Sequence, residues 1–328
     1  IEIPLVRQGI TPFKDLNYFF KLTKTIFSLN IDLLFTYSIK TILYSGWAIW
    51  LVNFFRGNKI KFFPMLTGLG YLFTNKEEKP FLGNFISFTS SKLINLSLRN
   101  SHYLILQNVD DLSLLKKKKI INDEIKTSIV NGSGVDIIKF AKKPLPRENS
   151  FLMIARLNKD KGVIEYLNAA KKIKNLLPEV EFRLIGIFDN HPRAIDKKII
   201  DEFKDFVNFL GEVPNNKVKK ELEKCRFYVL PSYREGVPKS TLEALAVARP
   251  IITTNVAGCR ETVNNGENGY LVPLKNSKVL SQYMLKLINT PHPCLVNMAN
   301  KSRQLAINKF DMRLINKNII KLLFDEDL

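Results

Sequence analysis

Arg226-Phe-Tyr-Val-Leu-Pro231 runs directly into Ser232-Tyr-Arg-Glu-Gly-Val-Pro-Lys-Ser-Thr-Leu-Glu-Ala244, and the fold can be read from this stretch. The first six residues predict a short buried strand, and Ser240 to Ala248 predict a helix. Glu235 then falls in the connecting loop, with Glu243 about one turn inside the helix. In a parallel α/β sheet such loops stand at the carboxyl ends of strands, where ligands bind, and the helix start adds unsatisfied amides and partial positive charge. A phosphate suits that place. Ser240 and Glu243 also fit a capping box in which Glu243 only satisfies an orphan amide, and an acidic loop residue is commonly just solvated. On the sequence both readings stay open.

Upstream, Phe151-Leu-Met-Ile-Ala155 predicts a second strand, followed by Arg156-Leu-Asn-Lys-Asp-Lys161-Gly162 and an amphipathic helix from Val163 to Leu176. Two cations thus stand at another strand-to-helix turn. A diphosphate held between Arg156, Lys161 and the amides after Glu235 would be neutralised without a metal ion. Either cation alone reads equally as surface charge.

The segment from Asn131 to Pro273 resembles the donor-binding half of family 4 glycosyltransferases. The matching pieces are Asn131-Gly-Ser-Gly-Val-Asp136, Arg156 with Lys161-Gly162, Leu184-Ile-Gly186, Phe209-Leu-Gly-Glu-Val213, the Glu-x7-Glu of Glu235 and Glu243, and Asn265-Gly-Glu-Asn-Gly-Tyr-Leu-Val-Pro273. The resemblance implies an α/β chain of the GT-B class, with two Rossmann-like doubly wound domains facing a cleft, and a metal-independent hexosyltransferase that retains anomeric configuration. It implies that Arg156 and Lys161 bind the donor diphosphate, Glu235 the sugar hydroxyls and Glu243 the ribose. Backbone at Gly236, Val237, Pro238 and Lys239 would cradle phosphate and sugar, while Gly186, Gly211 and Val213 border the base. Glu235 is the residue on which catalysis should depend. The implied donor is a UDP-sugar, and no separate cofactor is expected.

In the amino-terminal part, Pro4-Leu-Val-Arg-Gln-Gly-Ile-Thr-Pro12, Thr36-Tyr-Ser-Ile-Lys40, Thr67-Gly-Leu-Gly-Tyr-Leu-Phe73 and Gln107-Asn-Val-Asp-Asp111 are similar to a bacterial subgroup. Its members add an N-acetylhexosamine, typically α-1,3-linked N-acetylgalactosamine, to a sugar on undecaprenyl diphosphate, in capsule, O-antigen or glycoprotein glycan assembly. The partners so implied are a nucleotide sugar and a polyprenyl-linked acceptor, met peripherally at the inner face of the cytoplasmic membrane. Thr67, Gly68 and Gly70 form a turn after the strand-like Ile60 to Leu66, where glycine lets backbone approach a ligand. Many relatives carry a histidine near this turn; Thr and Gly stand here, so no catalytic histidine is carried over. Lys40, after the strand Ile31 to Tyr37, is the candidate to face the acceptor diphosphate. A nucleotide-sugar epimerase or hydrolase of the same fold, or a non-catalytic sugar-nucleotide binder, would share the donor site.

The expected organisation is an acceptor-side domain over 1–137, a nucleotide-sugar domain over 138–307, and a carboxyl-terminal helix over 308–328 packing back on the first domain. Strands are expected near 31–37, 60–66 and 103–107, a crossover at Ile129 to Asp136, and helices near 278–289 and 295–324. Ile1-Glu-Ile-Pro-Leu-Val resembles a later strand of the family, so the first βα unit is expected to precede it. The net charge of +19 is shared, with twenty basic and ten acidic residues up to Pro146 and thirty against twenty-one afterwards. That favours an anionic partner. No recognition helix, zinc spacing or aromatic strand motif supports nucleic acid. Thr41 to Phe55, with Trp47, Trp50, Phe54 and Phe55, is the membrane-contact candidate, although a helix buried on the first sheet explains it as well. Cys225, Cys259 and Cys294 lack metal spacing and fit a reducing compartment. Asp325-Glu-Asp327 reads as tail charge, and alanine stands at 248 where relatives carry glycine.

Overall fold

Short apolar runs alternating with amphipathic stretches cannot bury both faces in one layer, and here they resolve into two parallel sheets flanked by helices. The computed structural model describes residues 1–5, 11–57, 59–69, 91–188 and 193–324. Gly70, His191, the distal part of the Thr67 turn and Asp325 to Asp327 lie outside these described residues. One compact unit comprises Ile1–Val130 with Ile319–Leu328, and the other Asn131–Asn318.

In the first unit the elements are α1 (Pro12–Leu29), β1 (Leu33–Tyr37), α2 (Ile39–Arg56), β2 (Lys61–Leu66), the helical residues 91–98 (α3), β3 (Leu104–Leu106), α4 (Val109–Lys117) and β4 (Thr127–Ile129). The sheet runs β1-β2-β3-β4, all parallel, with Phe35 beside Phe63 and Met65 beside Ile105. Strand β4 was not expected: Thr127-Ser-Ile129 is too short and polar to read as a strand, so the expected crossover at Ile129 begins inside the sheet. Helix α2 buries Ile42, Ala48, Ile49 and Val52 while Trp50, Phe54 and Phe55 stay exposed. It approaches α3 closely at Gly46, where a Cβ would lie 2.0 Å from Ser97 Oγ and 2.6 Å from its carbonyl oxygen. Lys40, in the first turn of α2, pairs with the buried Asp15 at 2.7 Å. Gly68 has φ of +124°, as a glycine-dependent turn after β2 requires.

The second unit contains β5 (Ser150–Ile154), α5 (Val163–Lys174), β6 (Glu181–Ile185), α6 (Lys197–Asp201), β7 (Asn208–Gly211), α7 (Asn215–Lys224), β8 (Phe227–Leu230), α8 (Lys239–Ala246), β9 (Ile251–Thr254), β10 (Gly269–Val272), α9 (Ser277–Ile288), α10 (His292–Phe310) and α11 (Met312–Phe324). Its parallel sheet is ordered β10-β9-β8-β5-β6-β7. The chain moves outward from β5 through β6 to β7, then returns to lay β8 on the other side of β5. Across these central strands Phe151 stacks on Phe182 at 5.2 Å and packs at a tilt against Phe227 at 4.9 Å.

Two expectations need correction. The single helix over 295–324 is two helices, because Asp311 is non-helical at ψ 121° and its carboxylate accepts from Arg313 at 2.6 Å, while Val135 N–H donates to Phe310 O and Val135 O accepts from Met312 N–H. Only the later part of α11 joins the first unit, where Ile319 and Leu322 pack with Met65, Ile105 and Val130. Helix α8 ends at Ala246 in a Schellman motif: Arg249 N–H reaches Ala244 O and Ala248 N–H reaches Leu245 O, at 3.0 Å each. Ala248 is left-handed at φ +65°, as the missing glycine implied. Its roughly 1–2 kcal/mol of backbone strain is offset in part by a buried methyl worth about 0.8 kcal/mol.

Gly46→Ala should destabilise the protein by about 1–3 kcal/mol, because Ser97 carries backbone as well as side-chain atoms into the space of the new Cβ. A shift of the urea midpoint to lower concentration with unchanged slope checks it; an unchanged midpoint would show that α2 and α3 separate freely.

Candidate functional site

Where β5 and β8 lie side by side, with Phe151 beside Phe227 and Leu152 beside Tyr228, the chain changes winding direction. The loops at the carboxyl ends of such strands leave a crevice between them. A pocket of about 400 Å³ occupies it. Arg156, Lys161, Glu235, Lys239 and Glu243 make its charged side, and Ile154, Ile185, Leu230, Val213 and Val218 its apolar side.

Asn158 caps the single 3-10 turn Lys159–Lys161 by accepting from Lys161 N–H, and Gly162 at φ +71° turns the chain into α5. A Cβ on Gly162 would stand 2.1 Å from Pro231 O, so glycine is what lets the two loops touch. Lys161 Nζ consequently reaches Glu235 Oε1 at 2.5 Å. Ser232 Oγ donates to the same oxygen at 2.7 Å, and Glu235 N–H donates to Ala257 O at 3.2 Å. Gly258, at φ +74°, supports this loop from beneath; a Cβ there would meet Gly236 O at 2.1 Å and Glu235 O at 2.4 Å. Ser232 and Gly258 carry no signal of their own in the sequence. A serine three residues before an acidic loop residue and a glycine inside Ala257-Gly-Cys259 are too common to be read alone.

Pro238 precedes α8 as its N-cap residue, and no side chain caps the helix. The capping-box alternative for Ser240 and Glu243 therefore falls. Ser240 instead bonds the buried Tyr228 hydroxyl at 2.6 Å and donates to Ile154 O at 3.2 Å, tying the helix start to the end of β5. An uncapped first turn leaves backbone donors for an anion. Glu243 projects into the pocket half-buried; burial raises its pKa, with Lys239 and Lys139 pulling the other way.

Of the expected site residues, Arg156, Lys161, Glu235, Pro238, Lys239, Glu243, Gly186 and Val213 line the pocket. Gly236, Val237 and Gly211 are adjacent to lining residues but not among them. Gly211 O accepts from Gly186 N–H at 3.0 Å and so fixes the Glu212-Val213 side, while Val237 packs against Gly132. Lys40, Thr67 and Gly68 belong to the first unit. Cys259 is fully buried, and burial pushes its thiol up to about 12, which leaves it a poor nucleophile.

The sequence model described as glycosyl transferases group 1 matches residues 135–308, more than half of the chain. A Campylobacter jejuni protein, N,N'-diacetylbacillosaminyl-diphospho-undecaprenol alpha-1,3-N-acetylgalactosaminyltransferase, is 28% identical over 96% of this chain and 83% of its own length. The capsular polysaccharide biosynthesis glycosyltransferase CapM of Staphylococcus aureus is 32% identical over 49% of this chain and 42% of its own. Among solved structures, sucrose-phosphate synthase from Thermosynechococcus elongatus aligns with TM-score 0.77 at 20% identity, covering 96% of this chain and 79% of that one. Anabaena HepE in complex with UDP and glucose aligns with TM-score 0.76 at 18% identity, covering 97% and 84%. The fold is thus the GT-B fold of these proteins.

The raised pKa of Glu243 sets a pH-dependent stability. The folded state holds this proton more tightly than the unfolded chain, so stability is lost as pH rises from the ordinary carboxylate value of 4.5 through the raised one. Glu243→Gln should therefore be more stable than the wild type at neutral pH, with the difference shrinking below about pH 4.5. Urea midpoints at the two pH values test this; a difference independent of pH would contradict it.

Proposed function

The chain belongs to the glycosyl transferases group 1 family, and from that premise we propose that it is a retaining transferase moving an N-acetylhexosamine, N-acetylgalactosamine, from its UDP donor to a polyprenyl-diphosphate-linked saccharide. The observation that carries this reading is the joining of Lys161 and Glu235, from separate loops, beside the uncapped start of α8 in one pocket. Support for the acceptor and the donor sugar comes from the C. jejuni relative, whose name states both and whose likeness extends over nearly the whole chain.

Glycosyl transfer develops an oxocarbenium-like centre while UDP departs with growing negative charge. Arg156, Lys161 and the α8 amides neutralise that charge. Glu235 accepts hydrogen bonds from hydroxyl groups of the donor sugar and Glu243 from those of the ribose, while the apolar side of the pocket takes the base beside Gly186 and Val213. The bond from the anomeric carbon to the phosphate oxygen breaks, and the acceptor oxygen bonds to that carbon on the same face. The acceptor proton passes to the departing phosphate oxygen, so no protein nucleophile takes part and no metal is required.

The acceptor places the reaction at the inner face of the cytoplasmic membrane. Among the described residues, no helix is long and apolar enough to cross a membrane. The exposed Trp50, Phe54 and Phe55 of α2, with Arg56, Lys59 and Lys61 nearby, suit peripheral contact with anionic lipid.

UDP release should depend on acceptor, favour UDP-N-acetylgalactosamine over UDP-N-acetylglucosamine, UDP-galactose and UDP-glucose, and continue in EDTA. Glu235→Ala should lower kcat by about a hundredfold or more, and its urea midpoint should fall as well because Lys161 loses its carboxylate partner, so its activity is measured well below the unfolding transition. Release without acceptor would move the reading to an epimerase or hydrolase, and UDP binding without turnover to a binder. Flotation with vesicles should rise with anionic lipid content and weaken in Trp50→Ser/Phe54→Ser; indifference to lipid charge would count against membrane contact.

A further inference from the structure

Lys161 and Glu235 meet at 2.5 Å from two separate loops, so their pairing depends on what ties one loop to the other. Tyr233 supplies two such ties. Its N–H donates to Asp160 O at 2.8 Å, one residue before Lys161, and its hydroxyl donates to Glu165 Oε1 at 2.7 Å in the first turn of α5. The other carboxylate oxygen of Glu165 is buried and makes no hydrogen bond among the described residues, so this side chain is committed to the phenol. Lys275 Nζ lies 5.2 Å from the centre of the Tyr233 ring, and Arg193 holds Asp160 at 3.0 Å.

We propose that Tyr233, anchored by Glu165, is a positioning residue for sugar transfer: it holds the Glu235 loop in register with the Lys161 turn. This rests on the transferase reading above. Tyr233 ties the two loops together close to both ends of the ion pair. It follows Ser232, which bonds Glu235 directly, stands two residues before Glu235, and grips the residue preceding Lys161. Release of the phenol would let the 231–238 loop shift against α5 while its other side stayed fixed at Ala257 and Gly258. Such a shift separates the sugar-binding carboxylate from the phosphate-binding ammonium, and misplacements of about 1 Å in reacting groups cost up to roughly a hundredfold in rate. Burial, followed by the neighbouring Glu165 carboxylate, raises the phenol pKa, so the hydroxyl remains a donor throughout the neutral range.

Steady-state UDP release with acceptor present tests this. Tyr233→Phe removes only the hydroxyl and should lower kcat/KM for the UDP-sugar by about tenfold, the equivalent of one charge-assisted hydrogen bond. Glu165→Leu should cause the same loss, and the double variant no more than either single one. Glu165→Gln, whose amide oxygen can accept from the phenol, should recover most of the activity. A lower melting temperature with unchanged kcat/KM, additive losses in the double variant, or a Glu165→Gln variant as impaired as Glu165→Leu would each overturn the positioning role. If the wild type released no UDP from any donor, the transferase reading would fall and this proposal with it; a fully active Tyr233→Phe variant beside an active wild type would remove this proposal alone.

Discussion

Everything at the donor pocket depends on the parallel pairing of β5 with β8. Strands separated in sequence by two βα units become neighbours because the winding reverses there, and Phe151, Phe182 and Phe227 close the core across the junction. The turn after β5 and the loop after β8 are thereby brought within side-chain reach. The approach is tightened by two glycines, Gly162 beneath Pro231 O and Gly258 beneath Gly236 O, at positions where any Cβ would collide with backbone. Removal of water from between the loops strengthens every charge interaction that remains.

Lys161 and Glu235 pair with each other in the pocket. Removing one partner from such a partly buried pair would leave the other desolvated and uncompensated. A ligand that offers an anion to the lysine and hydroxyl donors to the carboxylate can replace the pair without leaving either group unsatisfied, and a sugar joined to a diphosphate offers both.

The amino-terminal unit answers a different physical demand. Its sheet is built by the same parallel rule, but its helices leave large aromatic side chains in water, Phe54 and Phe55 at about 70% exposure, next to basic residues rather than acidic ones. The proposed membrane contact rests on this aromatic and cationic surface. The donor half carries no comparable cluster of exposed aromatic rings among its described residues.

Local sequence determined the strands and helices around the site, because apolar runs such as Phe151 to Ala155 and the periodic stretch after Gly162 state their own period. It also placed Lys161, Glu235 and Glu243 at strand-to-helix turns. It did not determine β4, whose three polar-to-apolar residues become a strand only through pairing with β3, nor the break at Asp311, which comes from bonding to Val135 far away in the chain. Ser240 was indistinguishable from a helix cap until Tyr228 and Ile154 O were seen to hold it. Ser232, Tyr233, Glu165 and Gly258 gained meaning only from tertiary structure, since their roles are contacts between segments that no local pattern encodes. The sequence by itself decided which residues could form each loop, and the order of strands in the sheet decided which loops meet.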